Sequence, residues 1–158
     1  MNSNPRLPGL TLADADWLVQ AALDVAAARG FPPIAVAVID VAGEVLVLRR
    51  GDGGMPMTSR IAVAKARTAL VTLRASRSMD ALPTAIIDSI QHLYGGDFVP
   101  KAGGVLVTSE GVILGAAGAS GAHGDEDEEA VQVAVDRWQA RRVAPVSPDS
   151  RPPPASRA

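Results

Sequence analysis

One stretch constrains this chain more than any other: residues 103–129, GGVLVTSEGVILGAAGASGAHGDEDEE. Two apolar runs, 105–108 and 112–119, flank the turn Ser109-Glu110-Gly111, which is the composition of a tight β-hairpin. The second run is made of small residues and passes into a glycine loop that opens onto an acidic helix start. That loop carries His123, one of two histidines in the chain. A small-residue strand leading into a glycine loop and a helix is a place where a ligand can approach backbone closely.

The first third of the chain repeats this form. Residues 34–39 (IAVAVI) and 44–48 (EVLVL) are separated by Asp40-Val41-Ala42-Gly43, a second hairpin. Its first strand is apolar on both faces and belongs inside a sheet with cover on each side. Upstream, Thr11 is placed as an N-cap with Asp14 three residues on, followed by the periodic set Leu12, Ala15, Leu18, Val19, Ala22, Leu23 and Ala26. The helix should stop near Arg29 and Gly30, because Pro32 and Pro33 bar continuation.

A glycine-rich connection, 49–56 (RRGDGGMP), leads to a second helix over 57–74. Arg60, Arg67 and Arg74 recur every seven residues and form one solvated stripe. Lys65 is turned from that stripe by about 140° and shares a face with Thr58, Ile61, Thr68 and Thr72. It is therefore a candidate for a cleft or a subunit interface. The alternative is a lysine whose stem crosses apolar surface while its ammonium reaches water. A shorter helix is expected over 81–92, ended by Tyr94-Gly95-Gly96. A last helix runs from 125 to 140, with Ala130, Val133, Ala134 and Trp138 inward, and the acids of its first turns fit the helix dipole.

This order implies an α+β domain: an antiparallel sheet with helices packed on it. The strand order between the hairpins stays open. Residues 1–10 read as an arm, 11–140 as the domain, and 141–158 as a Pro-, Arg- and Ser-rich disordered tail.

Aromatic residues make up only 3% of the chain and its net charge is −2, which speaks against nucleic-acid binding. The absence of cysteine excludes disulfides, thiolate metal sites and a cysteine nucleophile. No apolar run approaches the roughly 18 residues of a membrane span, and the expected compartment is the cytoplasm.

The segments IAVAVIDVAGEVLVLRRGDG (34–53), IAVAKARTAL (61–70), and GGVLV with GVILGAAGASGAHGDEDEEA (103–130) together resemble the GlcG/HbpS-like or haem-degrading domain family, related to PduO C-terminal domains. The resemblance implies a profilin-like three-layer α/β sandwich, assembly into homo-oligomers, and haem or corrinoid association in several relatives. It also implies a haem-binding histidine outside the strand-and-loop core. The chain has no histidine before His92, so that ligand cannot be carried over by position.

Haem needs an axial ligand such as His, Met, Cys or Tyr and an apolar slot. His92 and His123 are the axial candidates, with Met55 and Met57 weaker ones. His92 also reads as a helix-end histidine favoured by the C-terminal dipole. His123, between Gly121 and Gly124, is open to a ligand and of a residue type whose charge changes near neutral pH, which suits a general acid or base. An enzymatic site could join it to Arg49 or Asp52 from the first glycine loop, with Lys65 from the adjacent helix. Gly53, Gly54, Ser120, Gly121 and Gly124 would supply further ligand contacts. Both glycine-bearing bends would then meet at one edge of the sandwich around a polar hollow.

Familiar motifs fail. Gly51-Asp52-Gly53-Gly54 lacks the Lys of a phosphate loop, residues 115–124 lack the dinucleotide spacing, and Ser120 is not in a nucleophile elbow. Asp125, Asp127 and Glu128 lack the EF-hand glycine. Three readings remain: an oligomeric binder of a small ligand or haem-type tetrapyrrole, with no other cofactor; a cofactor-independent lyase, isomerase or ring-opening enzyme using His123; and an assembly protein without ligand.

Overall fold

A computed structural model describes residues 9–143. Its first helix, α1 (Leu12–Arg29), begins with the expected cap. Thr11 Oγ1 accepts from the Asp14 N–H at 3.0 Å, and the Asp14 carboxylate accepts from the Thr11 N–H at 3.1 Å. Gly30 closes the helix at φ 70°, the left-handed conformation glycine adopts without penalty. Ala15, Leu18, Val19, Ala22 and Ala26 are buried as the spacing predicts. Leu23 is half-buried against the same core, and Leu12, at the first helical position, is 62% exposed.

The hairpins are β1 (Ala35–Ile39) with β2 (Val45–Arg50), and β3 (Gly104–Ser109) with β4 (Val112–Ser120). They join through their inner strands, giving the antiparallel order β2-β1-β4-β3. This settles the order left open above: the two most fully buried strands pair in the middle. Glu110 and Gly111 both have positive φ, as a two-residue turn matched to the strand twist requires.

Two layers of helix cover the sheet. On one face α1 and α4 (Gly124–Val143) bury Leu18, Val19, Val131 and Trp138 against Val36, Val38 and Val107. On the other face lies α2 (Thr58–Thr72), whose Ala62, Ala66 and Ala69 meet Ala35, Ala37 and Ala116. The contact is close because the sheet offers almost no side chain there. A Cβ at Gly118 would overlap the Ala62 carbonyl, and one at Gly104 would overlap the Lys65 carbonyl.

Between α2 and β3 the chain forms a 3-10 turn (Ser76–Met79) and α3 (Thr84–Leu93). The helix expected over 81–92 ends within one residue of that bound but starts later, since Pro83 precedes the first helical residue; the 3-10 turn was not foreseen. The second helix is also shorter than 57–74, since Leu73 turns left-handed at φ 56°. Of the arginine stripe, Arg60 and Arg74 are exposed, while Arg67 is half-buried and donates to the Gly43 carbonyl and to Asp97. Residues 141–143, expected in the tail, belong instead to α4, which runs to Val143; residues 144–158 and 1–8 lie outside the described residues. Among the described residues no helix is long and apolar enough to cross a membrane.

Candidate functional site

The close approach of α2 to the sheet decides the fate of Lys65. Its backbone lies against Gly104 and its stem passes over Gly103, where a Cβ would come within 2.8 Å of the ammonium nitrogen. The ammonium is thereby driven inward at the end of the sheet where β1 begins and β4 ends. There it pairs with Asp127 of α4 at 2.8 Å, both side chains being almost wholly buried, and donates to the Ala119 carbonyl at 3.0 Å. The other Asp127 oxygen accepts from the Ala122 N–H at 3.0 Å. The pair thus ties α2, β4 and the start of α4 together, and the ammonium does not reach bulk water as the alternative reading of Lys65 required.

Above the pair opens a cleft of about 760 Å³. Its floor holds Lys65, Asp127 and Ser120; His123 and Gly124 form one wall, and Val99, Lys101 and Ala102 form the other. The rim is braced by ion pairs. Arg77, from the 3-10 turn, reaches Asp125 and Glu128 in the first turns of α4, and Lys101 reaches Asp80. The hydrogen bonds to Asp125 and then Glu128 hold the Arg77 guanidinium pKa above its ordinary value. Ser76 fixes the opposite wall by accepting from the Gly104 N–H and donating to the Lys101 carbonyl. Each cation on the lining has a carboxylate partner, so the cleft is close to neutral.

His123 is exposed at the mouth. Its main chain is held at both ends: its N–H donates to Glu126 at 3.0 Å and its carbonyl accepts from the Asp127 N–H at 2.8 Å. Its imidazole makes no hydrogen bond with the described residues.

The two glycine bends do lie at the same end of the sheet. Gly51 and Gly53 on one side and Gly121 on the other all abut Pro33 and Ile34, where β1 begins. Their side chains do not converge as expected. The strand β2 runs on through Arg49 and Arg50, so Arg49 lies in the ladder rather than the loop, opposite Val36. This points it to the α1 face, where it bonds Asp16 at 2.6 Å and Gln20 at 3.1 Å. Asp52, Gly53 and Gly54 are in the loop but do not line the cleft. Of the candidate residues, the cleft gathers Lys65, Ser120, His123 and Gly124; Gly121 does not line it and packs against Pro33 and Ile34. His92 is exposed on α3 and lines none of this cleft, and Met55 and Met57 are exposed before α2.

Sequence reasoning missed Asp127, Arg77 and Lys101. The Asp127 signal was masked by its neighbours, since five consecutive acids at a helix start read as dipole electrostatics. A second cleft, about 640 Å³, lies at the far end of the sheet beside the Asp40–Gly43 turn and is more apolar, with Leu70, Leu73 and Ile113. It contains neither histidine, and its Tyr94 stacks on Phe98.

Residues 10–136 match the family model described as haem degrading protein HbpS-like. An uncharacterized 15.0 kDa protein in the dhaT-dhaS intergenic region of Citrobacter freundii is 28% identical over 138 residues, 86% of this chain and 96% of that protein. Among solved structures, a double mutant of HbpS from Streptomyces reticuli is 28% identical with a TM-score of 0.72, covering 87% of this chain and 92% of its own. A PduOC:heme complex is 25% identical with a TM-score of 0.73, covering 81% and 94%. The Klebsiella pneumoniae protein ORFY shares the fold at a TM-score of 0.76 and 23% identity, covering 89% and 97%.

Proposed function

The chain belongs to the HbpS-like family, and from that premise we propose that it binds haem or a related tetrapyrrole in the cleft above Lys65 and Asp127, with His123 as the axial ligand. The observation that carries this reading is the His123 imidazole, exposed at the mouth of a cleft and unengaged by the described residues. A similar structure, PduOC, is a complex with heme.

The residues present fit the group. Haem asks for an axial donor, commonly a histidine nitrogen, and an apolar wall. His123 offers the nitrogen, and Ile61, Val99, Ala102 and Ala122 offer apolar surface beside it. Lys101 and Arg77 stand where propionates could be held, but both are already paired with carboxylates. Propionates must compete with Asp80 and Asp125, so binding is weak and sensitive to salt. When bound, haem supplies iron-centred ligand and redox chemistry. The chain's residues hold it, orient it and limit water on the buried side. Assembly into a homo-oligomer is a separate part of the proposal, supported by the family resemblance.

Titration with haemin tests the assignment. Wild-type protein and His92→Ala should give the same Soret shift, and His123→Ala should lose the histidine-ligated spectrum. A spectrum unchanged from wild type in the His92→Ala/His123→Ala double variant would show that another group ligates the iron.

A further inference from the structure

The floor of the cleft carries a feature that axial ligation by His123 does not use. Ser120 is 7% exposed, yet its hydroxyl has no hydrogen-bond partner among the described residues. No fully buried side-chain nitrogen or oxygen lacks a partner there, so this hydroxyl must open onto the cleft. Beside it on the floor is Lys65. An ammonium has three N–H donors, and two are taken, by Asp127 and the Ala119 carbonyl. One donor remains without an acceptor among the described residues.

We propose that the Ser120 hydroxyl and the remaining Lys65 N–H form a subsite for an acceptor oxygen, the carbonyl or carboxylate of a small organic acid. The pair Lys65–Asp127 sums to zero charge, so the subsite selects by hydrogen bonding in a place where leaving a donor unmade is costly. Ser120 is held on the middle strand β4, opposite Ala35, and Lys65 is locked by its two bonds, so both donors are set before a ligand arrives. The inference rests on the reading of this cleft as the ligand site. A haem carboxylate and a free acid are two sources of the same oxygen.

The test uses pyruvate as probe, followed by saturation-transfer NMR on the full chain. At about 10 mM probe, well above a millimolar dissociation constant, wild-type protein and Ser89→Ala on α3 should give equal transfer. Ser120→Ala should weaken binding by roughly tenfold, the effect of one lost hydrogen bond. Displacement by acetate would assign the carboxylate to the subsite, and displacement by acetone the carbonyl. Equal binding by Ser120→Ala and wild type, or no transfer from wild type, would overturn the proposal. Haemin titration of Ser120→Ala, run in parallel, separates the two failures: the axial assignment depends on His123 and the subsite on Ser120. A Soret response lower for haemin than for its dimethyl ester would exclude propionate as the occupant.

Discussion

A lysine and an aspartate 62 residues apart share a burial that neither could bear alone. Removing Asp127 leaves the Lys65 charge uncompensated in the interior. Asp127→Ala should therefore lose about 3–5 kcal/mol in urea unfolding, while the double change Lys65→Met/Asp127→Leu should recover most of it. A loss in the double variant equal to that of Asp127→Ala would contradict this account. Half of the pair was legible, since the 100° rotation per residue places Lys65 off its arginine stripe. The partner was not, because helix periodicity says nothing about which distant element covers a face. Asp14 shows a second residue-scale effect. Burial opposes its ionisation, but hydrogen bonds from Trp138 and Thr11, with Arg142 nearby, hold its pKa below the ordinary value. A lowered folded pKa means stability that is present at neutral pH and lost as pH falls through about 4 and below. The stability gap between wild type and Asp14→Ala, followed by urea midpoints, should narrow on acidification; a constant gap would argue against the effect.

At the scale of elements, the hairpins and α1 were readable because their signals are local: Thr11 with Asp14, and the turns ending in Gly43 and Gly111. Thr11→Ala should cost about 1 kcal/mol by removing the cap, measured by thermal or urea unfolding. The reach of β2 was not readable. Two arginines after an apolar run look like a loop, yet both lie in the ladder opposite Ala35 and Val36. With a side-chain period of two, that extension is what turns Arg49 toward Asp16 and away from His123. Nor was the reason for the small-residue strand visible in one sequence. It lets α2 lie against the sheet, so Gly118→Ala, which would drive a Cβ into the Ala62 carbonyl, should destabilise by about 1–3 kcal/mol and shift the α2 face that carries Lys65.

Across the whole molecule, the three layers meet the cleft at one end only, where α2, β4, the 99–102 segment and the start of α4 come together. The rim pairs formed by Arg77 and Lys101 brace these pieces but neutralise the cations a carboxylate ligand would seek. Asp80→Asn should accordingly tighten haemin binding several-fold, an effect that fades as salt is raised. Elsewhere the surface is less complete. Ile86 is 49% exposed, Leu73 63% and Leu93 79%, and α3 buries none of its residues. Sedimentation at micromolar concentration should give a dimer or larger, and a monomer would refute the proposed assembly. The most direct measurement of the central claim is the iron position in crystals grown with haemin, located by its anomalous scattering. The account predicts iron bonded to a ring nitrogen of His123, above Lys65 and Asp127; iron at His92, or at Tyr94 in the far cleft, would contradict it.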